Sequence, residues 1–288
     1  MEPLVEIFVC GAQKCGTTSL YAHFLDHPQL QSSSRKEIHF FDDEAQDWSR
    51  PNYADLHRWF EAVDYSRRRF DMTPIYCFWP RAIERLKAYN PDAKLIFLFR
   101  DPIERAWSQW KMSYSLNAEP MTFARAIREG RTRIDIFNPL AQQNRDYTYV
   151  ERGFYGSQVH LAQENFPADQ LLFLRSQDLL ENHAHTLKLI SDFLGIDKFP
   201  ETGPKREHQA ASAAYPSDLT FEDQLYLSHI FGPELAKFKQ LTNIDTSEWL
   251  TDRLIQQKLD APPLSFSGLN ESFPAAQPTL RRSRFHTR

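Results

Sequence analysis

The sequence predicts an α/β domain built on a mostly parallel β-sheet, and three observations carry that prediction. Apolar runs resembling buried strands recur at residues 4–10, 93–101 and 170–175. Segments with helical apolar spacing separate them, as successive βαβ units require. The first run leads straight into a glycine-bracketed loop and then a helix. With 288 residues, 41% hydrophobic and 25% charged, the chain has the length and composition of a soluble globular domain. Its net charge of −4 argues against a general nucleic-acid binder, so any anion site has to be local.

The elements follow in order. Residues 4–10, "LVEIFVC", are enriched in β-branched and aromatic residues, as a buried strand is. After the loop, Leu20, Tyr21, Phe24 and Leu25 give one helical apolar face, which Pro28 ends. The near-continuous apolar run "AKLIFLFRD" suits a strand covered on both faces. Asp101-Pro102 then opens a helix, with Asp101 as N-cap and Pro102 in the first turn. Ile103, Ala106, Trp107, Trp110 and Tyr114 continue it at helical spacing. The third strand, "QLLFLR", lies between the helical stretch "GSQVHLAQENFP" and another ending in "ISDFLG". Residues 134–155 are polar and aromatic without periodicity and read as a long loop over the site.

One domain is expected over residues 1–255, with a flexible Pro/Ser-rich and basic tail over 256–288, the composition shifting from about residue 260. The start, "MEPLVEIFVCG", has acidic residues, no basic n-region and too short an apolar run for a signal peptide or membrane span. Three cysteines in no metal or disulfide spacing favour a reducing compartment. A cytoplasmic protein is expected.

The loop "CGAQKCGTT" decides the chemistry. Gly11 and Gly16 have the spacing of the phosphate loop G-x-x-x-x-G-K-[ST], and Thr18 supplies the hydroxyl. The strand–loop–helix context points the free N–H groups of a helix start at an anion, as in a P-loop-type central sheet flanked by helices. Thr17, however, stands where the lysine belongs, and Lys14 lies three residues earlier. The one aspartate able to hold Mg²⁺ after a strand, Asp101, has a competing role as a cap and follows Arg100. A cation there suits a second phosphate better than a metal. The pattern describes a metal-free site for an anionic nucleotide gripped at two places. A nucleotide with a 5′-phosphosulfate and a 3′-phosphate fits: loop amides, Thr17 and Thr18 on the first, Lys14 at the bridging oxygen, Arg100 and Ser108 on the second.

Four stretches carry a resemblance: "GAQKCGTTSLYAHFLDHP", "KEIHFFD", "LIFLFRDPIERAWSQW" and "RGFYGSQV…FPADQLLFLRSQDL". Together, in this order, they resemble the motifs of sulfotransferases that use 3′-phosphoadenosine-5′-phosphosulfate, in particular the heparan-sulfate-type N- and O-sulfotransferases and their bacterial homologues. The resemblance implies that Lys14, Cys15, Gly16, Thr17 and Thr18 form the phosphosulfate loop. It implies Arg100 and Ser108 at the 3′-phosphate, Lys205 and Arg206 on a late basic loop closing over the nucleotide, and Glu37 as general base with His39 beside it. The product would be adenosine 3′,5′-bisphosphate, and the acceptor a hydroxyl on a glycan or a small metabolite, with no metal and no nucleic acid.

Sulfuryl transfer needs a base for the acceptor's proton and a cation where charge develops on the leaving phosphate. An extended backbone through "RKEIHFF" would put Glu37 and His39 on one face and Lys36 and Ile38 on the other. Either of the two is placed to be the base; the resemblance favours Glu37. Two features of the glycosaminoglycan enzymes, a membrane anchor and a disulfide near the late loop, are not visible. In "FDMTPIY", Met72 replaces the lysine of the pattern x-K-[ST]-P-x-Y, which points away from a highly sulfated acceptor. A divergent P-loop kinase or NTPase, the alternative reading, requires Mg²⁺-dependent ATP binding. A non-enzymatic nucleotide-binding scaffold would lack Lys14 or Glu37.

Overall fold

The computed structural model describes residues 2–60, 64–205 and 215–260. Five strands, β1 (Val5–Gly11), β2 (Leu30–Ser32), β3 (Arg68–Met72), β4 (Lys94–Phe99) and β5 (Leu171–Arg175), form one sheet in the order β2-β3-β1-β4-β5. Every pairing is parallel. The three apolar runs of the sequence are β1, β4 and β5, within a residue or two of the expected ends. β1 and β4 sit centrally, with Phe8, Val9, Ile96 and Leu98 fully buried, which is why both read as continuous apolar runs.

β2 and β3 carry no such signal. β2 has three residues, and β3 reads "RRFDM" yet buries Arg69 and Asp71. Arg69 is accommodated because its guanidinium donates to the Pro3 carbonyl (2.9 Å), pairs with Glu2 (3.3 Å) and lies over the Phe60 ring.

The helices are α1 (Thr17–Leu25), α2 (Ala54–His57), α3 (Ala82–Tyr89), α4 (Pro102–Ser115), α5 (Phe123–Ile127), α6 (Gln143–Asp146), α7 (Tyr155–Asn165), α8 (Asp178–Glu181), α9 (His183–Leu194), α10 (Phe221–Thr242) and α11 (Leu250–Asp260). As expected, Asp101 caps α4, its carboxylate accepting from Glu104 N at 2.9 Å with Pro102 in the first turn. α10 opens with a reciprocal capping box between Thr220 and Asp223 and packs against α7, α11 and α4. Besides the core around the sheet, a second core gathers Trp110, Phe123, Tyr149 and Phe231 where α4, α5 and α10 meet.

Residues 134–155 are a connection held in shape from within. Asn144 donates to the carbonyls of Asp135, Asn138 and Pro139 at 3.0–3.2 Å, around the single turn of α6. α11 carries helix to Asp260, past the boundary expected at 255; residues 261–288 of the expected tail lie outside the described residues. Among the described residues no helix is long and apolar enough to cross a membrane.

Candidate active site

β1 delivers the chain to Gly11, whose position permits no side chain: a Cβ there would lie 2.2 Å from Cys77 Sγ. Gly16 then takes φ +81°, a conformation that suits glycine, and becomes the N-cap of α1 without any side-chain cap. The first-turn N–H groups of α1 are thus left to a ligand. Lys14 also has positive φ, and its ammonium has Met112 Sδ as a neighbour at 3.4 Å. Burial lowers the Lys14 pKa; Glu37 opposes this, while Arg100 and Lys36 add to it. A partly buried cation short of negative charge is suited to receive an anion.

Lys14, Gly16 and Arg100 line one cleft of about 750 Å³, with Glu104, Trp249 and Arg253 on its other walls. Arg100 does not stand free, since its guanidinium holds the Glu104 carboxylate at 2.8–2.9 Å, four residues on along the wall. Asp101 is fully committed: one carboxylate oxygen caps α4 and the other accepts from Thr251 N at 2.7 Å. Both oxygens thus accept from backbone N–H groups, the structural role expected of a helix cap.

A second cleft, of about 460 Å³, is lined by His39, Asp42, Arg58, Trp59, Leu140 and Arg145 among others. Lys36 and Glu37 lie just before His39 of this wall in the chain. Here the expected extended backbone is overturned: Glu37 and His39 have φ of 61° and 60°, both left-handed. The two side chains nevertheless meet, His39 Nε2 lying 3.7 Å from Glu37 Oε2. The same backbone swings Lys36 back to the glycine loop, where it donates to Thr18 Oγ1 at 2.7 Å and lies 3.5 Å from Glu37.

Buried polar groups hold this unusual backbone. Tyr76 OH accepts from Phe40 N at 3.1 Å and donates to Asp71 Oδ2 at 2.9 Å. Asp71 also accepts from Thr73 Oγ1 and, at a long 3.5 Å, from Ile38 N, so the backbone on both sides of His39 is anchored. Burial pushes the Asp71 carboxyl up to about 6, against the bonds from Tyr76 and Thr73. His39 Nδ1 lies 2.9 Å from Asp42 Oδ2. Asp42 is held below the usual carboxylate range by His39 and Arg145, which outweigh its burial, so it accepts and Nδ1 carries the proton.

Other expected residues lie elsewhere. The Cys15 thiol turns into the core, 3.7 Å from Tyr155 OH, and its N–H is bonded to the Ala12 carbonyl, so no group of Cys15 faces a ligand. Thr17 is buried. Ser108, half-buried on α4, is not among the residues lining the first cleft. Lys205 bonds the Ala22 carbonyl and Asp26 at the C-terminal end of α1, the end away from the glycine loop, because that helix end offers it a carbonyl and a carboxylate. Arg206 lies outside the described residues. Lys36, Asp42 and Arg145 were not anticipated. The spacing of Asp42, three residues after His39 in "KEIHFFD", is the one local signal that could have found it.

Comparison with known proteins gives this arrangement a context. Residues 5–220 match the family described as "Sulfotransferase domain". The chain belongs to that family. This sulfotransferase domain is 28% identical over 200 residues to human heparan sulfate glucosamine 3-O-sulfotransferase 3B1, covering 68% of the chain and 47% of the relative. It is 26% identical over 294 residues to human bifunctional heparan sulfate N-deacetylase/N-sulfotransferase 2, covering 90% of the chain and 32% of that protein. It thus spans half or less of the length of these curated relatives. The fold is shared with a sulfotransferase from Alicyclobacillus acidocaldarius at a TM-score of 0.67 and 23% identity, over 86% of this chain and 99% of that one. The kinase alternative finds no support beyond the shared phosphate-loop architecture.

Proposed function

We propose that the protein transfers a sulfuryl group from 3′-phosphoadenosine-5′-phosphosulfate to an acceptor hydroxyl, without a metal ion. The observation that carries this reading is the Glu37 carboxylate acting on the Lys14 ammonium of the first cleft while meeting the His39 imidazole of the second. One cleft has an uncapped helix start and cations, the other a carboxylate–imidazole pair. The α1 N–H groups and Lys14 suit the phosphosulfate, and Arg100 the second phosphate once Glu104 yields to it. When bound, the donor supplies an electrophilic sulfur whose leaving group is a phosphate oxygen. Glu37 takes the acceptor's proton as the acceptor oxygen bonds to sulfur. Lys14, reinforced by Lys36 on Thr18, provides positive charge where the sulfur–phosphate bridge breaks.

The acceptor we favour is a glycan or small metabolite carrying little negative charge. Met72 is buried where many members of the resembled family have lysine. Two of the arginines of the acceptor cleft, Arg58 and Arg145, already pair with Asp55 and Asp42. We also place the reaction in the cytoplasm, which three free, buried cysteines suit.

Titration calorimetry with adenosine 3′,5′-bisphosphate and with ATP, each with and without Mg²⁺, tests the reading. The bisphosphate should bind independently of metal and more weakly to Arg100→Ala. Binding of ATP only with Mg²⁺, and none of the bisphosphate, would overturn it.

A further inference from the structure

The connection over residues 134–155 does more than wall the acceptor cleft. Arg145, at the end of its single helical turn, reaches Asp42 twice, with one guanidinium nitrogen on the Oδ2 that also bonds His39 and the other on the Asp42 backbone carbonyl. Its guanidinium lies over Trp79, with Cζ 3.8 Å from the ring centroid, and Trp79 is itself fixed by Nε1–H donating to Glu44 at 2.7 Å. The backbone carbonyl of Arg145 accepts from Arg152 Nη2 at 2.8 Å. Arg152 is buried, has no carboxylate partner among the described residues, and donates through Nη1 to Gln13 Oε1 at 2.8 Å, next to Lys14 in the glycine loop. An unbroken line of contacts thus runs from the glycine loop through Arg152, Arg145 and Asp42 to His39, and from His39 Nε2 to Glu37.

We propose that Arg145 is a positioning residue for sulfuryl transfer, setting the Asp42 carboxylate that orients the His39 imidazole and tying that orientation, through Arg152, to the donor loop. This rests on the reading of Glu37 and His39 as the acceptor-side base. Asp42 is buried and its Oδ1 has no hydrogen-bond partner, so without Arg145 only the His39 bond would fix its rotation. A carboxylate held at one point can turn, and the imidazole turns with it. A bidentate guanidinium on both the side chain and the carbonyl removes that freedom. The charged groups around His39 are Glu37 on Nε2, Asp42 on Nδ1, Arg145 behind Asp42, and Asp71 beneath Ile38. Burial alone would pull the His39 pKa down; the Asp42 bond and charge, with Glu37, outweigh it and raise the pKa, while Arg145 pulls it back.

The test is a histidine-labelled NMR titration of the whole protein with adenosine 3′,5′-bisphosphate present, His39 being assigned through His39→Asn. In the wild-type protein His39 should keep a protected Nδ1–H signal. In Arg145→Gln the midpoint should move upward, because the competing cation is gone, and the Nδ1–H signal should broaden as the Asp42 carboxylate turns. An unchanged midpoint and an unchanged Nδ1–H signal would overturn the proposal. If that variant does not fold, Arg145→Lys serves, in protein labelled uniformly with nitrogen-15: a single ammonium does not hold both contacts, so the Asp43 amide, whose nitrogen follows the Asp42 carbonyl, should shift along with the His39 signal. Spectra identical to wild type at both positions would refute it. The titration reads His39 without any acceptor. Failure of the sulfotransferase reading would appear separately, as absence of bisphosphate binding in the wild-type protein.

Discussion

The cleft we assign to the donor and the cleft we assign to the acceptor are made of different materials. The donor side rests on backbone: a strand end, two glycine positions and the start of α1, with Asp101 locking α4 beside them. The acceptor side rests on side chains contributed by separate segments, Glu37 and His39 from one, Asp71 and Tyr76 from a second, Arg145 and Arg152 from a third. Backbone N–H groups are present whatever the side chains are, so outside Gly11, Gly16, Lys14 and Arg100 a donor site built on them tolerates substitution. A site of interlocked side chains is sensitive at every member, but each member can also be replaced to suit a different acceptor.

The largest expected effect tests whether the two sides divide the labour. Glu37→Gln should lower turnover by about a hundred- to ten-thousandfold, measured as release of adenosine 3′,5′-bisphosphate, while leaving affinity for the bisphosphate unchanged. Lys14→Ala should lower turnover by about a hundred- to a thousandfold. If Glu37→Gln weakened bisphosphate binding as much as turnover, the division into two sides would fail.

A middle-sized effect probes what the side-chain scaffold costs. The folded pKa of Asp71, about 6, lies above its ordinary value of 3.8. The folded state therefore holds this proton more tightly than the unfolded one. The associated stability is complete below about pH 4 and is lost as pH rises through 6, a change worth about 3 kcal/mol. Asp71→Asn lacks this dependence, so its stability relative to wild type should improve by up to about 3 kcal/mol between pH 4 and pH 7 in urea denaturation. A constant difference across that range would show that Asp71 is not a buried acid under strain.

The smallest effect is expected at Lys205. Its partner Asp26 lies at the C-terminal end of α1, and both side chains are partly exposed. Lys205→Ala should change the bisphosphate dissociation constant by less than about threefold. A larger loss would bring Lys205 back to the donor side.

How much could be read beforehand follows from the same contrast. Gly11, Gly16 and the Asp101-Pro102 cap are backbone requirements with local signatures, and the strands β1 and β4 are apolar because both faces are covered. β3 was illegible because it buries Arg69 and Asp71 through partners distant in sequence. Glu37 and His39 were singled out by the resemblance, with an extended backbone expected to put them on one face. Their left-handed conformation is set by Asp71 and Tyr76, which nothing near residue 37 announces. Arg145 lies 103 residues from Asp42, so no local pattern could have joined them.

The bond from Thr251 N to Asp101 bears on how the protein comes into being. The glycine loop leaves the ribosome more than two hundred residues before Trp249 and Arg253, which wall the same cleft. Domains tend to fold as units while the chain is synthesised from its N-terminus. Here the cleft we assign to the nucleotide has to wait for α11 to dock on the carboxylate that starts α4. A nascent chain halted before residue 249 would carry a complete phosphate loop and lack one wall of its cleft.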